Sequence, residues 1–274
     1  MTESSPAAAG AARLPGAIRP VALVTGPTSG IGQAYAMRLA SLGYDLVLAA
    51  RTEERLVSLA REVQVRYGSR AEVLPVDLAR PRDRDRVAER LGAGVEFLVN
   101  NAGFGNSGEF WTHDPAALQR QLDVNVTAVV QLTRAALPSM LHAANGTVVN
   151  VASMAGLIPG RGSTYSASKA YVVSFSQGLA GGLAGTGVRV QALCPGLVRT
   201  EFHERAGIDT ASLPRGLWLS VEKVVAGSLR DLEKDRVISV PGMQYKAIAA
   251  VAGLVPRSLV TRIDRRMFNA RGRT

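Results

Sequence analysis

Short apolar runs alternate with longer amphipathic stretches along most of the chain. The runs fall at Val21–Thr25, Asp45–Ala50, 73–76, 95–100, 147–151, Val188–Leu193 and 237–240. They are apolar at successive positions, as strands covered on both faces require. Between them lie stretches with a 3.6-residue apolar period at 31–42, Glu53–Tyr67, 82–91, 115–142 and 164–183. Strand–helix alternation predicts βαβ units and a parallel sheet, and right-handed crossovers wind it doubly. The predicted fold is α/β: a Rossmann-like doubly wound parallel sheet of about seven strands with helices on both faces. Residues 196–220 have little periodicity and read as a mobile loop on the substrate side. The organisation expected is a disordered leader over 1–18, a Rossmann-fold catalytic domain over 19–245 and a basic helical extension over 246–274.

Composition narrows the class. The single cysteine, Cys194, rules out an intrachain disulfide framework and reads as a buried strand residue. His113, His142 and His203 lack metal-ligand spacing, so no metal is expected. The N-terminus has neither the basic nor the continuous apolar region of a secretory signal. No run of about eighteen apolar residues occurs, so no transmembrane span is expected, and the protein reads as cytoplasmic. The net charge of +10 comes from arginines spread along the chain with no nucleic-acid-binding motif, so no nucleic-acid partner is expected.

The first candidate chemistry sits between the first run and the first helix. Thr25-Gly26-Pro27-Thr28-Ser29-Gly30-Ile31-Gly32 places three glycines where a strand turns into a helix. Glycine permits the tight turn and lets a pyrophosphate approach the backbone, while the helix N-terminus offers free N–H groups. A glycine-rich turn alone is a weak signal, and its position at the first strand–helix junction strengthens it. The absence of a following Lys-Ser/Thr disfavours a nucleoside-triphosphate loop.

The second is Tyr165 with Lys169, four apart on one helix face. Free tyrosine titrates near ~10, and a neighbouring ammonium is expected to lower that value. Ser153, just after a strand, is placed to donate a hydrogen bond to a substrate carbonyl. Tyr-x-x-x-Lys alone is common by chance. Its position after Ser153 and downstream of the glycine turn gives it weight.

Together these segments resemble the single-domain branch of the short-chain dehydrogenase/reductase family, and especially soluble bacterial relatives of 3-oxoacyl reductases and hydroxysteroid dehydrogenases. The matching pieces are TGPTSGIG at 25–32, Asp77-Leu78, Asn100-Asn101-Ala102-Gly103, Asn125, Ser153, YSASK at 165–169 and PGLVRT at 195–200. The resemblance spans roughly residues 18–245, with Pro27 where alanine is more usual. It implies an oxidoreductase moving a hydride between a nicotinamide cofactor and a carbonyl or secondary alcohol. Tyr165 would be the proton donor or acceptor, Lys169 would hold the ribose and tune Tyr165, and Ser153 would orient the carbonyl. Asn125 would fix a relay water. Gly26, Thr28, Ser29, Gly30, Ile31 and Gly32 would bind the pyrophosphate, with Asp77 and Leu78 at the adenine. Asn101, Ala102 and Gly103 would wall the ribose, and Pro195, Gly196, Val198 and Thr200 would cradle the nicotinamide. Taken singly, Asp77 reads better as a helix cap and Asn125 as a solvent-facing polar residue. The resemblance also implies a homodimer or homotetramer.

Two rival readings share the fold. An epimerase or dehydratase usually carries a longer C-terminal substrate domain. A non-enzymatic nucleotide sensor typically loses the Tyr/Lys pair, which is intact here.

Ala50 occupies the strand end where NAD-preferring relatives carry an acid, and Arg51 follows it. A guanidinium grips a 2′-phosphate with paired charge-assisted hydrogen bonds, so NADP(H) is favoured over NAD(H). Apolar residues in the 196–220 loop suggest an apolar substrate such as a ketone, acyl chain or steroid-like molecule. At the C-terminus, Ile248, Val251, Leu254 and Val255 recur at helical spacing, as do Leu259, Ile263 and Met267, with Pro256 between. A pair of helices packed over the substrate mouth or a subunit interface is the expectation. Basic residues from Lys246 onward leave peripheral membrane contact as the alternative.

Overall fold

The computed structural model describes residues 19–106, 108–158, 163–202 and 215–254. Seven parallel strands form one sheet in the order β3-β2-β1-β4-β5-β6-β7. They are β1 (Val21–Thr25), β2 (Asp45–Ala50), β3 (Ala71–Pro75), β4 (Phe97–Asn100), β5 (Gly146–Val151), β6 (Val188–Leu193) and β7 (Ile238–Ser239). The helices are α1 (Gly30–Ser41), α2 (Glu53–Tyr67), α3 (Pro81–Gly92), α4 (Pro115–Leu122), α5 (Ala128–His142), α6 (Ser163–Gly182), α7 (Val221–Leu232) and α8 (Met243–Leu254).

Strand β1 shows why the runs are apolar throughout. Ala22 and Val24 pack into one core and Leu23 into the other, all fully buried. Helices α1, α2 and α7 cover the first face, and α3, α5 and α6 the second. Strand order reverses between β1 and β4. That switch point opens a crevice at the carboxyl ends of the strands, where ligands of such folds bind.

A buried polar ladder crosses the second core. Asn100 Nδ2 donates to Thr133 Oγ1 of α5 at 3.0 Å and to Asn150 Oδ1 at 2.9 Å. Asn150 Nδ2 in turn donates to Ser176 Oγ of α6 at 3.0 Å. Asn100 and Asn150 are register partners on β4 and β5.

The expected helix over 115–142 is interrupted. Residues Asp123–Thr127 form a π turn between α4 and α5. Such wide turns insert a residue into the helical ladder and often mark functional positions. The expected strand at 237–240 shortens to Ile238–Ser239 at the sheet edge, and β4 begins at Phe97, two residues later than the apolar run. The expected leader, residues 203–214 of the 196–220 loop and everything from Val255 onward lie outside the described residues.

Candidate active site

A cavity of about 880 Å³ follows the crevice, within the range of small-molecule sites. Every candidate residue lines it except Gly32 and Asn125, which stand just behind its wall.

The glycine turn is built for close approach. Gly26 and Gly30 adopt φ of +62° and +57°, a region that a side chain disfavours. Gly32 serves packing instead: a Cβ there would fall 2.3 Å from the Gly26 carbonyl oxygen and 2.4 Å from Asn101 Nδ2. Asn101 Nδ2 donates to the carbonyl oxygens of Thr25 and Gly26, both at 2.9 Å. Thr25 Oγ1 accepts the N–H groups of Asn101 and Ala102, both at 3.0 Å. The turn and the Asn101 wall are therefore one hydrogen-bonded unit. Ser29 precedes α1 without capping it through its side chain, and the first turn carries no acid. The leading N–H groups of α1 thus remain available for an anionic ligand. This cradle fits a dinucleotide pyrophosphate.

Ser153, Tyr165 and Lys169 meet at the end of β5. Ser153 Oγ accepts from Ala155 N–H at 3.1 Å and shares a hydrogen bond with the Tyr165 side chain. Lys169 is 4 % exposed, and its Nζ donates to the Val151 carbonyl oxygen at 2.7 Å. That nitrogen stands 5.8 Å from the Tyr165 ring centre. Burial pushes the Tyr165 hydroxyl up to about 12, against an opposing hydrogen bond from Ser153. Burial likewise pushes Lys169 down to about 8. Desolvation, the largest cause at both groups, thus opposes the expected lowering of Tyr165 by the ammonium.

Asn125 faces the interior and is fully buried within the π turn. Its Oδ1 accepts from Phe104 N–H at 3.1 Å, and its Nδ2 donates to Phe104 O at 3.0 Å and Ser168 Oγ at 3.1 Å. A Cβ on Gly103 would meet Asn125 Oδ1 at 3.1 Å and Lys169 Nζ at 3.3 Å, so glycine is what lets these three converge. Asp77 lines the cavity and closes the turn before α3, whose N-cap is Arg80: Oδ1 accepts from Ala79 N–H at 3.1 Å, while Oδ2 lies 3.4 Å from Arg120 Nη2. Arg51 is exposed beside Ala50, with no ion pair or hydrogen bond among the described residues.

Sequence reasoning missed Arg55, Arg120, Phe104 and Tyr245, all on the cavity wall, where Phe202 of the apolar 196–220 loop also stands. Arg55 sits one helical turn beyond Arg51, a usable signal, and pairs with Glu201 at 3.3 Å. Arg120 reaches Asp77 from a helix 43 residues later, a contact with no local pattern. The Phe202 ring lies 5.6 Å from that of Tyr165. Cys194 is free and buried as expected, and no metal-holding cluster exists among the described residues. None of the helices, searched over the described residues, is long and apolar enough to cross a membrane.

Comparison with known proteins agrees with this geometry. The short chain dehydrogenase family model matches residues 20–210. A sulfoacetaldehyde reductase of Chromohalobacter salexigens is 41% identical over 199 residues, covering 69% of this chain and 77% of that one. A short-chain dehydrogenase of Sphingobium yanoikuyae, solved in complex with NADPH, superposes with a TM-score of 0.79 at 37% identity, over 86% of this chain and 94% of that one. A bulky-bulky ketone specific alcohol dehydrogenase of Comamonas testosteroni gives a TM-score of 0.74 at 31% identity, over 86% and 93%. The chain belongs to the short-chain dehydrogenase family and is an oxidoreductase that moves a hydride between a nicotinamide cofactor and a carbonyl or alcohol.

Proposed function

We propose that the protein is an NADP(H)-preferring carbonyl reductase or alcohol dehydrogenase acting on a bulky, largely apolar ketone or secondary alcohol. The observation that carries this reading is the buried, protonated Tyr165 hydroxyl, hydrogen-bonded to Ser153 inside a cavity of about 880 Å³.

A bound nicotinamide supplies the hydride, and this chain's residues do the rest. Ser153 orients the carbonyl oxygen by hydrogen bonding. Tyr165, neutral at physiological pH, gives its proton to that oxygen in the reductive direction and takes it back in the oxidative one. Lys169, anchored on Val151, presents its remaining donors to the cofactor ribose, and a charged neighbour there favours tyrosinate as the proton leaves. Asn125 braces Phe104 and Ser168 so that the helix carrying Tyr165 and Lys169 keeps its distance from Gly103. Asn101 holds the pyrophosphate turn.

The distribution of charge supports the substrate class. The described wall carries Phe104, Met154, Leu197 and Phe202, the last packed on the Tyr165 ring. Of the cavity's arginines, Arg55 is held by Glu201, and Arg51 and Arg120 belong to its other end, by Ala50 and Asp77. That end follows β2 and β3, whereas Ser153 follows β5, three strands from β2 and about 14 Å away at the usual strand spacing. A small sulfonated aldehyde, the substrate named for one relative, would find only the buried Lys169 as a cationic anchor among the described residues near Tyr165.

The test is a carbonyl panel run with NADPH and NADH, read by nicotinamide absorbance, in wild type and Tyr165→Phe. Bulky ketones should be the best substrates, and Tyr165→Phe should lower turnover at least ~10²-fold with cofactor affinity nearly intact. Full turnover by Tyr165→Phe would remove the mechanism, and preferred reduction of sulfonated aldehydes would remove the substrate class.

A further inference from the structure

The proposed function leaves one well-made feature of the cavity wall unused. Tyr245 lies beyond the matched region 20–210, on the first turn of α8, yet it lines the cavity and is 6 % exposed. Its hydroxyl accepts the Leu197 N–H at 2.9 Å and donates to the Leu217 carbonyl oxygen at 2.7 Å. Burial pushes the phenol up, which keeps it a proton-bearing donor.

Leu197 and Leu217 are the two sides of a narrow neck. Leu219 N–H donates to Leu197 O at 2.9 Å, Arg199 N–H donates to Leu219 O at 3.2 Å, and Val198 bridges Leu219. The Tyr245 hydroxyl adds a side-chain tie across the same neck. Its ring lies flat against the chain at Gly196, where a Cβ would come within 2.0–2.3 Å of ring carbons. Glycine at 196 is thus required by the tyrosine. Three residues past Leu197, Thr200 reaches the pyrophosphate turn: a Cβ on Gly30 would approach its methyl within 2.8 Å.

We infer that Tyr245 is a positioning residue that fixes the segment Pro195–Thr200 against the Gly30 turn, and thereby sets the affinity for the dinucleotide. This rests on the reading that Pro195–Thr200 borders the bound cofactor. Tyr245 acts through Leu197 and Gly196 and takes no part in proton transfer. Buried hydrogen bonds of this kind hold a segment in one arrangement, and losing both lets it sample others. A binding-competent arrangement populated one time in ten weakens apparent affinity tenfold.

The experiment measures NADPH affinity by titration and steady-state kinetics in wild type and Tyr245→Phe, with amide hydrogen exchange at Leu197 as a second readout. Tyr245→Phe keeps the ring and deletes both hydrogen bonds. It should raise Kd and KM for NADPH about tenfold, with kcat at saturation within about threefold. Should Tyr245→Phe fail to fold, exchange at the Leu197 amide of wild type tests the same tie: this N–H is held by the Tyr245 hydroxyl and should exchange more slowly still with NADPH bound. A purely structural role would lower the folded fraction and apparent kcat with KM unchanged, and that pattern overturns the inference. So does an unmoved Kd in folded Tyr245→Phe, or a Leu197 amide whose exchange NADPH leaves unchanged. Wild type that binds neither NADPH nor NADH would overturn the proposed function along with it, whereas wild-type binding with an unmoved variant would overturn this inference alone.

Discussion

Arg51 offers a clean separation of cofactor recognition from folding. Its guanidinium is exposed at the end of β2 and has no partner among the described residues, so Arg51→Ala removes no interaction within the described structure. Stability should therefore stay within about 0.5 kcal/mol of wild type. The loss falls on the 2′-phosphate alone. A hydrogen bond between charged groups contributes about 1.5–3 kcal/mol net, or roughly tenfold to a hundredfold in affinity. The lower end is expected here, because the site is open to solvent and the Thr28 and Ser29 hydroxyls line the same end of the cavity. Arg55 is a weaker substitute, being held by Glu201 at 3.3 Å. The assay is kcat/KM for NADPH and NADH in parallel, at fixed ionic strength, because phosphate attraction is screened by salt. Wild type should prefer NADPH. Arg51→Ala should lose about tenfold or more with NADPH while NADH is nearly unchanged. Equal losses with both cofactors, or a wild-type preference for NADH, would refute the reasoning.

Two further perturbations follow from the site. Gly32→Ala places a methyl against the Gly26 carbonyl, which is backbone and cannot step aside. Overpacking of that kind costs about 1–3 kcal/mol, so the unfolding temperature should drop by about 3–10 °C and cofactor affinity should fall with it. An alanine variant with wild-type melting and binding would show that the turn is looser than described. The second concerns pH. Burial lowers Lys169 from 10.5 to about 8, so between these values the folded chain has released a proton that the unfolded chain still holds. Stability contributed at this site therefore rises with pH across that window. Lys169→Met should be relatively more stable at pH 7, and wild type should close the gap by up to about 3 kcal/mol towards pH 10. Denaturant unfolding at several pH values checks this, and parallel stability curves for the two proteins would contradict it.

The sequence made the fold legible because each strand is covered on both faces and so reads as an unbroken apolar run. Where one condition lapsed, so did the prediction. β7 sits at the sheet edge and pairs over only two residues, leaving its flanks apolar without being strand. The π turn at Asp123–Thr127 was invisible because one inserted residue barely disturbs a 3.6-residue apolar period. The nucleotide and catalytic segments were readable because each lies in one short stretch after a strand. Arg120 and Tyr245 were not, since their contacts close over 43 and 48 residues and leave no local spacing. The direction of the Tyr165 shift also escaped, because spacing shows that Lys169 is near but not that both groups are out of water. Of the C-terminal segment, Tyr245 at the start of α8 packs into the cavity wall, whereas Ile248 and Val251 of the first helical group stand exposed. Pro256 and the second group lie outside the described residues.

The Thr133–Asn100–Asn150–Ser176 ladder has a consequence for anyone rebuilding this scaffold. Asn101 and Ser153 come from neighbouring strands and lie one and three residues past the two ladder amides. A slip of β4 against β5 by one residue would turn Asn100 towards the opposite apolar core, away from Thr133, and leave Asn150 Oδ1 without its donor. The ladder thus acts as a vernier, fixing the axial offset of the cofactor wall relative to the serine. Loops grafted onto the ends of β4 and β5 inherit that calibration as long as the four polar residues are left in place. Replacing them with well-packed apolar side chains would keep a core but erase the scale on which the two halves of the site are aligned.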